Sequence, residues 1–213
     1  KPTERQKKAT NEGLLLAYAS MQNYFVTPGK CMEPLWKDKD GKPKVQWMFW
    51  LFAPGQPEAG FSHETETEVL VDDRAAKYFY VTYLPRYLGG GTFYLTGLFD
   101  SDGNKLDGKS TYKLNVPKDT PAKDFWSVIV YSMETKNFVR DVPRVGLSSR
   151  NADTMKPNND GSYDVYFGPK APKGKESNWI PTGEDFVLLV RLYGPESKTF
   201  YRTWMLGDLD KIQ

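Results

Sequence analysis

The chain has 213 residues, of which 39% are hydrophobic and 15% aromatic, and its 29 basic and 27 acidic side chains leave a formal net charge of +2. This composition is typical of a soluble globular protein, either one large domain or a domain with an appendage. The charges form no long block of one sign, so we expect no nucleic-acid partner. No run approaches the roughly 20 apolar residues that a membrane span requires, so we expect no span.

Two residue types that carry much of enzyme chemistry are almost absent. Cys31 is the single cysteine and His63 the single histidine, which excludes an intrachain disulfide and any zinc site built from several cysteines or histidines. A serine or cysteine nucleophile would depend on His63, and the neighbouring Ser62 is better placed to cap a helix. We therefore expect no metal and no cofactor, and the catalytic residues, if any, stay unknown. The compartment is open between cytoplasm and periplasm or secretion.

The first 91 residues mix helical and strand patterns and are predicted to form a helical arm that packs on a second domain. Apolar residues recur with helical spacing in two stretches and form a continuous run in a third. The predicted elements are a helix over 3–24, a turn at 38–41, a strand over 44–52, a loop over 54–60 and a second helix over 64–83.

Residues 92–213 are dominated by strand patterns with turn residues between them. The predicted strands are 92–99, 110–116, 125–132, 163–167 and 185–193. This spacing favours an antiparallel β-sandwich or jelly roll, so the fold class is mainly β with α. Turns are predicted at 100–104 and 158–161. The first of these, DSDGN, offers carboxylates at alternate positions, but its glycine comes fourth instead of sixth, which favours a hairpin turn over a calcium loop.

An arginine and several aromatic residues stand out within the strands. Arg191 interrupts the apolar run FVLLVRLY, so it must face solvent or find a buried partner. A guanidinium and an amide among aromatic rings suit a sugar or a carboxylate-bearing ligand. Alternatively, the same residues lock the sandwich, with the aromatic rings in the core and Arg191 paired with an acid or with strand-end carbonyls. The candidate ligand-binding residues are Arg74, Trp126, Tyr131, Asn178, Trp179 and Arg191.

Several stretches resemble a bacterial family. They are DSDGNKLDGKSTYKL at 100–114, PAKDFWSVIVY at 121–131, the segment 158–195 and FYRTWMLGDLDKI at 200–212. In this order along the chain they are similar to the module called domain of unknown function 1214, and residues 71–83 resemble its usual lead-in. The resemblance implies an antiparallel β-sandwich or jelly roll, often preceded by a separate module numbered 1254. It implies no agreed biochemical activity.

Three functions are open at this point. The first, which we favour, is a binding module for a carbohydrate or small organic anion, because aromatic residues exceed what a core needs and no nucleophile–base pair is visible. The second is a hydrolase of glycans or amides that uses carboxylates without histidine, with Asp72, Asp73, Asp124 and Asp185 as candidates. The third is a structural or assembly module, in which exposed Trp36, Trp47 and Trp50 contact a companion module or a second copy of the chain.

Overall fold

The computed structural model describes residues 1–27, 32–50, 66–69, 71–72, 75, 91–196 and 200–212, with the backbone alone for Trp50. The chain divides into two compact units. The first consists of Lys1–Glu33 and Trp50–Arg86, and the second of Pro34–Phe49 and Tyr87–Gln213. The predicted division into residues 1–91 and 92–213 stays a prediction.

The first unit contains a long N-terminal helix, α1 (Glu4–Val26), which confirms the helix predicted there. It begins at a capping box: the Thr3 hydroxyl accepts a hydrogen bond from the Gln6 N–H, and the Gln6 side chain accepts one from the Thr3 N–H. Phe25 near its end is buried. Most of the second predicted helix, 64–83, lies outside the described residues.

Within the described ranges, ten strands build two sheets, and three short 3₁₀ helices connect some of them. The strands are β1 (Met32–Pro34), β2 (Trp47–Trp50), β3 (Thr92–Gly97), β4 (Tyr112–Val116), β5 (Ala122–Ser132), β6 (Gly146–Ser148), β7 (Tyr163–Gly168), β8 (Trp179–Pro181), β9 (Phe186–Pro195) and β10 (Asp210–Lys211); the 3₁₀ helices are η1 (Ser149–Asn151), η2 (Glu176–Asn178) and η3 (Phe200–Arg202). The large sheet has the order β1-β2-β3-β9-β5-β6 and the small sheet the order β10-β4-β7-β8.

The fold is therefore mainly β with a described helix, as the sequence predicts. Pairing from β2 through β3, β9 and β5 to β6 is antiparallel, and so is pairing of β4 with β10 and β7, whereas β7 and β8 run parallel. The core lies between the sheets: the Phe186 ring of the large sheet is 5.8 Å from the Tyr112 ring and 6.5 Å from the Phe167 ring of the small sheet. All three side chains are buried. One face of the large sheet thus covers the core. We call the opposite face, which points away from the small sheet, the outer face.

The predicted turns are present. Asp100 is buried, and its Oδ1 accepts hydrogen bonds from the N–H groups of Asp102 and Asn104 at 3.1 and 2.8 Å. Gly103 has a φ of +80°, a conformation that glycine adopts without strain. The carboxylate of Asp100 therefore holds its own turn together.

Two of the three tryptophans predicted to be exposed are buried, so that prediction is wrong for them. Trp36 donates its indole N–H to the carbonyl of Tyr201 at 2.7 Å, and Trp47 donates to the carbonyl of Gly207 at 2.8 Å. Both side chains fill the core with their polar ends satisfied by the C-terminal segment. The side chain of Trp50 lies outside the described residues.

Candidate ligand-binding site

The outer face of the large sheet carries an arginine at its centre. Arg191 of β9 pairs with Tyr94 of β3 on one side and with Ser127 of β5 on the other. Val190, which precedes Arg191 in β9, and Val128, which follows Ser127 in β5, are fully buried in the core. Because successive side chains of a strand point to opposite faces, Tyr94, Arg191 and Ser127 project from the outer face. We call these three residues the arginine row.

The guanidinium of Arg191 is held by aromatic side chains. Its Nη2 donates a hydrogen bond to the hydroxyl of Tyr131. Its Cζ lies 5.5 Å from the ring centroid of Tyr94 and 5.8 Å from that of Tyr131, which is within the range of cation–π attraction. Arg191 forms no ion pair in the described part of the chain. Its positive charge is therefore stabilised by rings and a hydroxyl.

Buried polar atoms without a partner collect around this row. The Nε of Arg191, the Oγ of Ser127 and the Oγ1 of Thr96 form no hydrogen bond within the described ranges. Thr96 is 0% exposed, and it pairs with Leu189 of β9, which places it on the same outer face two residues from Tyr94. Each such atom costs about 1–3 kcal/mol when left unpaired. A cluster of three on one face is the kind of feature that a bound ligand or water would satisfy.

The hydroxyl of Tyr131 is suited to donate a hydrogen bond to a ligand at this site. Burial raises the pKa of Tyr131 above its ordinary value, and this outweighs the Arg191 guanidinium, which lowers it. The phenol consequently stays protonated at neutral pH. Its oxygen accepts the hydrogen bond from Arg191, while its own O–H is available to an acceptor.

Beyond the arginine row, the outer face carries a second cation and two further aromatic rings. The rings of Phe125 and Tyr193, a cross-strand pair, stack with centroids 4.1 Å apart. The Cζ of the exposed Arg150 lies 3.9 Å from the Phe125 centroid. This part of the outer face therefore carries two guanidinium groups, each in contact with aromatic rings.

The structure brings together two of the residues predicted to bind a ligand, Tyr131 and Arg191. Trp126 faces the other way into the core, where its ring lies 6.0 Å from that of Tyr163. Trp179 lies in the small sheet, and its indole donates to the carbonyl of Gly168 at 3.0 Å. Arg74 lies outside the described residues.

Asn178, also predicted to bind a ligand, is buried with both ends of its amide in use. Its Nδ2 donates to the carbonyls of Lys156 and Asp164 at 2.9 and 3.0 Å, and its Oδ1 accepts from the Lys156 N–H at 2.8 Å and from the Ser177 hydroxyl at 3.0 Å. This arrangement ties η2 to the strand and loop beside it. It gives Asn178 a structural role.

Two of the acids considered for hydrolysis, Asp124 and Asp185, form no described hydrogen bond or ion pair with the arginine row. The carboxylate of Asp185 accepts the N–H of Gly108 at 3.1 Å and so anchors a loop. Asp72 is exposed, and Asp73 lies outside the described residues. The described residues contain no group of three or more His, Cys, Asp or Glu side chains placed to hold a metal ion. No helix in the described ranges is both long and apolar enough to span a bilayer.

Comparison with known proteins identifies the family. The family described as "Protein of unknown function (DUF1214)" matches residues 91–197, which is half of the chain. The chain belongs to the DUF1214 family. The arginine row, Thr96 and Tyr131 all fall within the matched residues. That such a module is often preceded by a 1254 module stays an expectation from the resemblance, and comparison with curated proteins gives no match.

Two solved structures are similar to this DUF1214 chain. The VPA0106 protein from Vibrio parahaemolyticus is 23% identical, with a TM-score of 0.53, over 76% of this chain and 41% of that one. A putative uncharacterized protein from Burkholderia cenocepacia is 16% identical, with a TM-score of 0.41, over 71% of this chain and 45% of that one. The chain thus spans less than half the length of either protein. The likeness to the Vibrio protein supports the fold alone.

Proposed function

We propose that this DUF1214 protein binds a small organic anion without converting it, and that Arg191 holds the ligand's carboxylate. One observation carries the proposal: a partly buried guanidinium with no acidic partner in the described chain lies beside unpaired hydroxyl groups on one sheet face. A buried or partly buried charge is costly unless an opposite charge or hydrogen-bonding groups compensate it. A ligand carboxylate would supply both.

The polar groups of this face also define what the ligand must offer. Arg191 can only donate hydrogen bonds, and the hydroxyl of Tyr131, which accepts from Arg191, has a proton to donate. A ligand that satisfies such a set must therefore be rich in acceptors. An ionised carboxylate accepts several hydrogen bonds and matches the planar donors of arginine in a bidentate geometry.

The residues at this face favour binding over catalysis. A general base near neutral pH is usually a histidine or a carboxylate within hydrogen-bonding distance of the reacting group. The arginine row, Thr96 and Tyr131 include neither type of residue. The guanidinium is a cation and the half-buried Tyr131 has a raised pKa, so the set can position an anion and neutralise its charge.

Isothermal titration calorimetry with acetate, benzoate and succinate tests the proposal. Arg191→Gln removes the guanidinium, and Arg144→Gln is the matched control, because Arg144 donates to the Ser177 carbonyl at 3.1 Å and is not part of the arginine row. We expect the wild type to bind at least one of these carboxylates, with an affinity that falls about 10-fold or more in Arg191→Gln and stays unchanged in Arg144→Gln. Added salt should weaken binding. Absence of binding to all three probes, or equal binding by Arg191→Gln, would overturn the proposal.

A further inference from the structure

A concavity of about 670 Å³ opens beside the end of β5. This volume is in the range of small-molecule sites. Its walls come from the loop after β5 and from the residues just before β9, and they include Asn137, Phe138, Arg140, Asp141 and Glu184. All of them lie within the second compact unit, which contains the sandwich and is called the sandwich unit.

Phe138 connects this concavity to the arginine row. Its backbone bridges that of Tyr131, and the two rings stack with centroids 5.1 Å apart. Tyr131 in turn accepts the hydrogen bond from Arg191. Phe138 is nevertheless 50% exposed, which is unusual for a large aromatic side chain. One face of its ring is thus covered by Tyr131, and much of its remaining surface is available to a ligand.

The concavity adds hydrogen-bond acceptors to the donors of the arginine row. Its acceptors are the carboxylates of Asp141 and Glu184 and the amide oxygen of Asn137, and the guanidinium of Arg140 lies among them. Acceptors beside an exposed aromatic ring are the usual means of binding a sugar, whose hydroxyls donate hydrogen bonds while its C–H face packs on the ring.

The loop that forms the concavity is also conformationally unusual. Lys136 and Asp141 both have a φ of 56°, and they are the non-glycine residues with positive φ among those described. Such a conformation is uncommon for a residue with a side chain and costs free energy, and it persists at positions where the surrounding structure requires it. Asp141 itself lines the concavity. One of the two strained residues therefore contributes an acceptor to the concavity.

We propose that the ligand is an acidic sugar, a uronic acid alone or at the end of an oligosaccharide, whose carboxylate binds at the arginine row while its ring packs on Phe138 in the concavity. This inference rests on the proposed function, because it takes the carboxylate to bind at Arg191. It adds the chemical class of the ligand and a second group of contacts.

Calorimetric titration of galacturonate, digalacturonate, galactose and acetate separates this inference from the proposal on which it rests. Phe138→Ala removes the stacking surface and leaves Arg191 and Tyr131 in place. Tyr18→Ala on α1 is the control, because Tyr18 is also an exposed aromatic residue but lies outside the sandwich unit. We expect Phe138→Ala to lower the affinity for a uronate about 3- to 10-fold and to leave the affinity for acetate unchanged. Asp141→Asn and Glu184→Gln should weaken uronate binding without affecting acetate.

The possible outcomes distinguish the two proposals. If acetate binds through Arg191 but uronates bind no more tightly than acetate, or if Phe138→Ala binds uronates like the wild type, the sugar inference is wrong and the anion site stands. If none of the carboxylates binds, the anion site itself is wrong. Galactose that binds as tightly as galacturonate would show that the carboxylate contributes nothing to sugar binding and would overturn the sugar inference, while acetate binding to the wild type and to Arg191→Gln would still decide the anion site.

Discussion

Replacing Asn178 by alanine should destabilise the sandwich by about 3 kcal/mol, because its buried amide serves three backbone groups at once. The Nδ2 satisfies two carbonyls, those of Lys156 and Asp164, and the Oδ1 satisfies the Lys156 N–H, all at 2.8–3.0 Å. Alanine leaves these three groups without that partner, and each intramolecular hydrogen bond contributes about 1 kcal/mol net, with more lost where the abandoned group stays buried. Asn178→Asp should be at least as harmful, since it places a carboxylate oxygen against two carbonyls.

Urea unfolding followed by tryptophan fluorescence measures this difference in the free energy of unfolding. Ser177→Ala is the matched control: it removes only the hydroxyl that donates to the Asn178 Oδ1 at 3.0 Å, so we expect a loss below about 1 kcal/mol. The structural role of Asn178 would be refuted if Asn178→Ala and Ser177→Ala unfolded at the same urea concentration. A stable Asn178→Ala variant with weakened carboxylate binding would instead restore Asn178 as a ligand-binding residue.

Three further substitutions test other parts of the structure. Gly13→Ala should stabilise α1 by about 1 kcal/mol, because a Cβ there would meet nothing within 4 Å. Thermal unfolding followed by circular dichroism measures this, and a lower melting temperature than that of the wild type would contradict it. Gly108→Ala should destabilise the sandwich by about 1–3 kcal/mol or more in urea, since its Cβ would lie 2.2 Å from the carbonyl carbon of Glu184; a neutral result would contradict the close approach. Burial raises the pKa of Asp107, but hydrogen bonds from the Ser110 hydroxyl and nearby groups outweigh it and hold the pKa at about 2, below the ordinary 3.8. The stability that these hydrogen bonds give to the folded protein is present above pH 3.8 and is lost as the pH falls towards 2. Asp107→Asn should therefore lower the free energy of unfolding by up to about 1 kcal/mol at pH 7, after allowance for solvent exposure, and by little at pH 2. A loss of stability that does not depend on pH would refute this explanation.

The long elements could be predicted from the sequence, and the short ones could not. The helix near the N-terminus and the five long strands of the sandwich show clear periodicity, and each is present. Strands β6, β8 and β10 have two or three residues each, too few to show an alternation. Their pairing depends on neighbours far along the chain, as in β10, where Lys211 pairs with Tyr112. Trp36 and Trp47 were misjudged for the same reason, because their partners lie in the C-terminal segment.

The candidate site was only partly predictable. Arg191 could be found because a charge within an apolar strand requires an explanation. Strand alternation would have placed Trp126 and Tyr131 on opposite faces of β5, since they are five residues apart and only residues an even number apart share a face. Tyr94 and Thr96 carry no signal of their own. They join the site only because β3 pairs with β9, and this register is not visible in the sequence.

The most direct test of the anion site follows the Nε–H signal of Arg191 by NMR while acetate is added. Arginine Nε–H resonances are resolved in ¹⁵N-correlated spectra, and the Arg191→Gln spectrum assigns the signal by its loss. The Nε is buried without a partner in the described chain, so the ligand should change its surroundings directly. If the site binds carboxylates, this signal moves and saturates, and its midpoint agrees with the calorimetric affinity. If the signal stays fixed at acetate concentrations that saturate the protein, the carboxylate binds elsewhere and Arg191 is a structural residue.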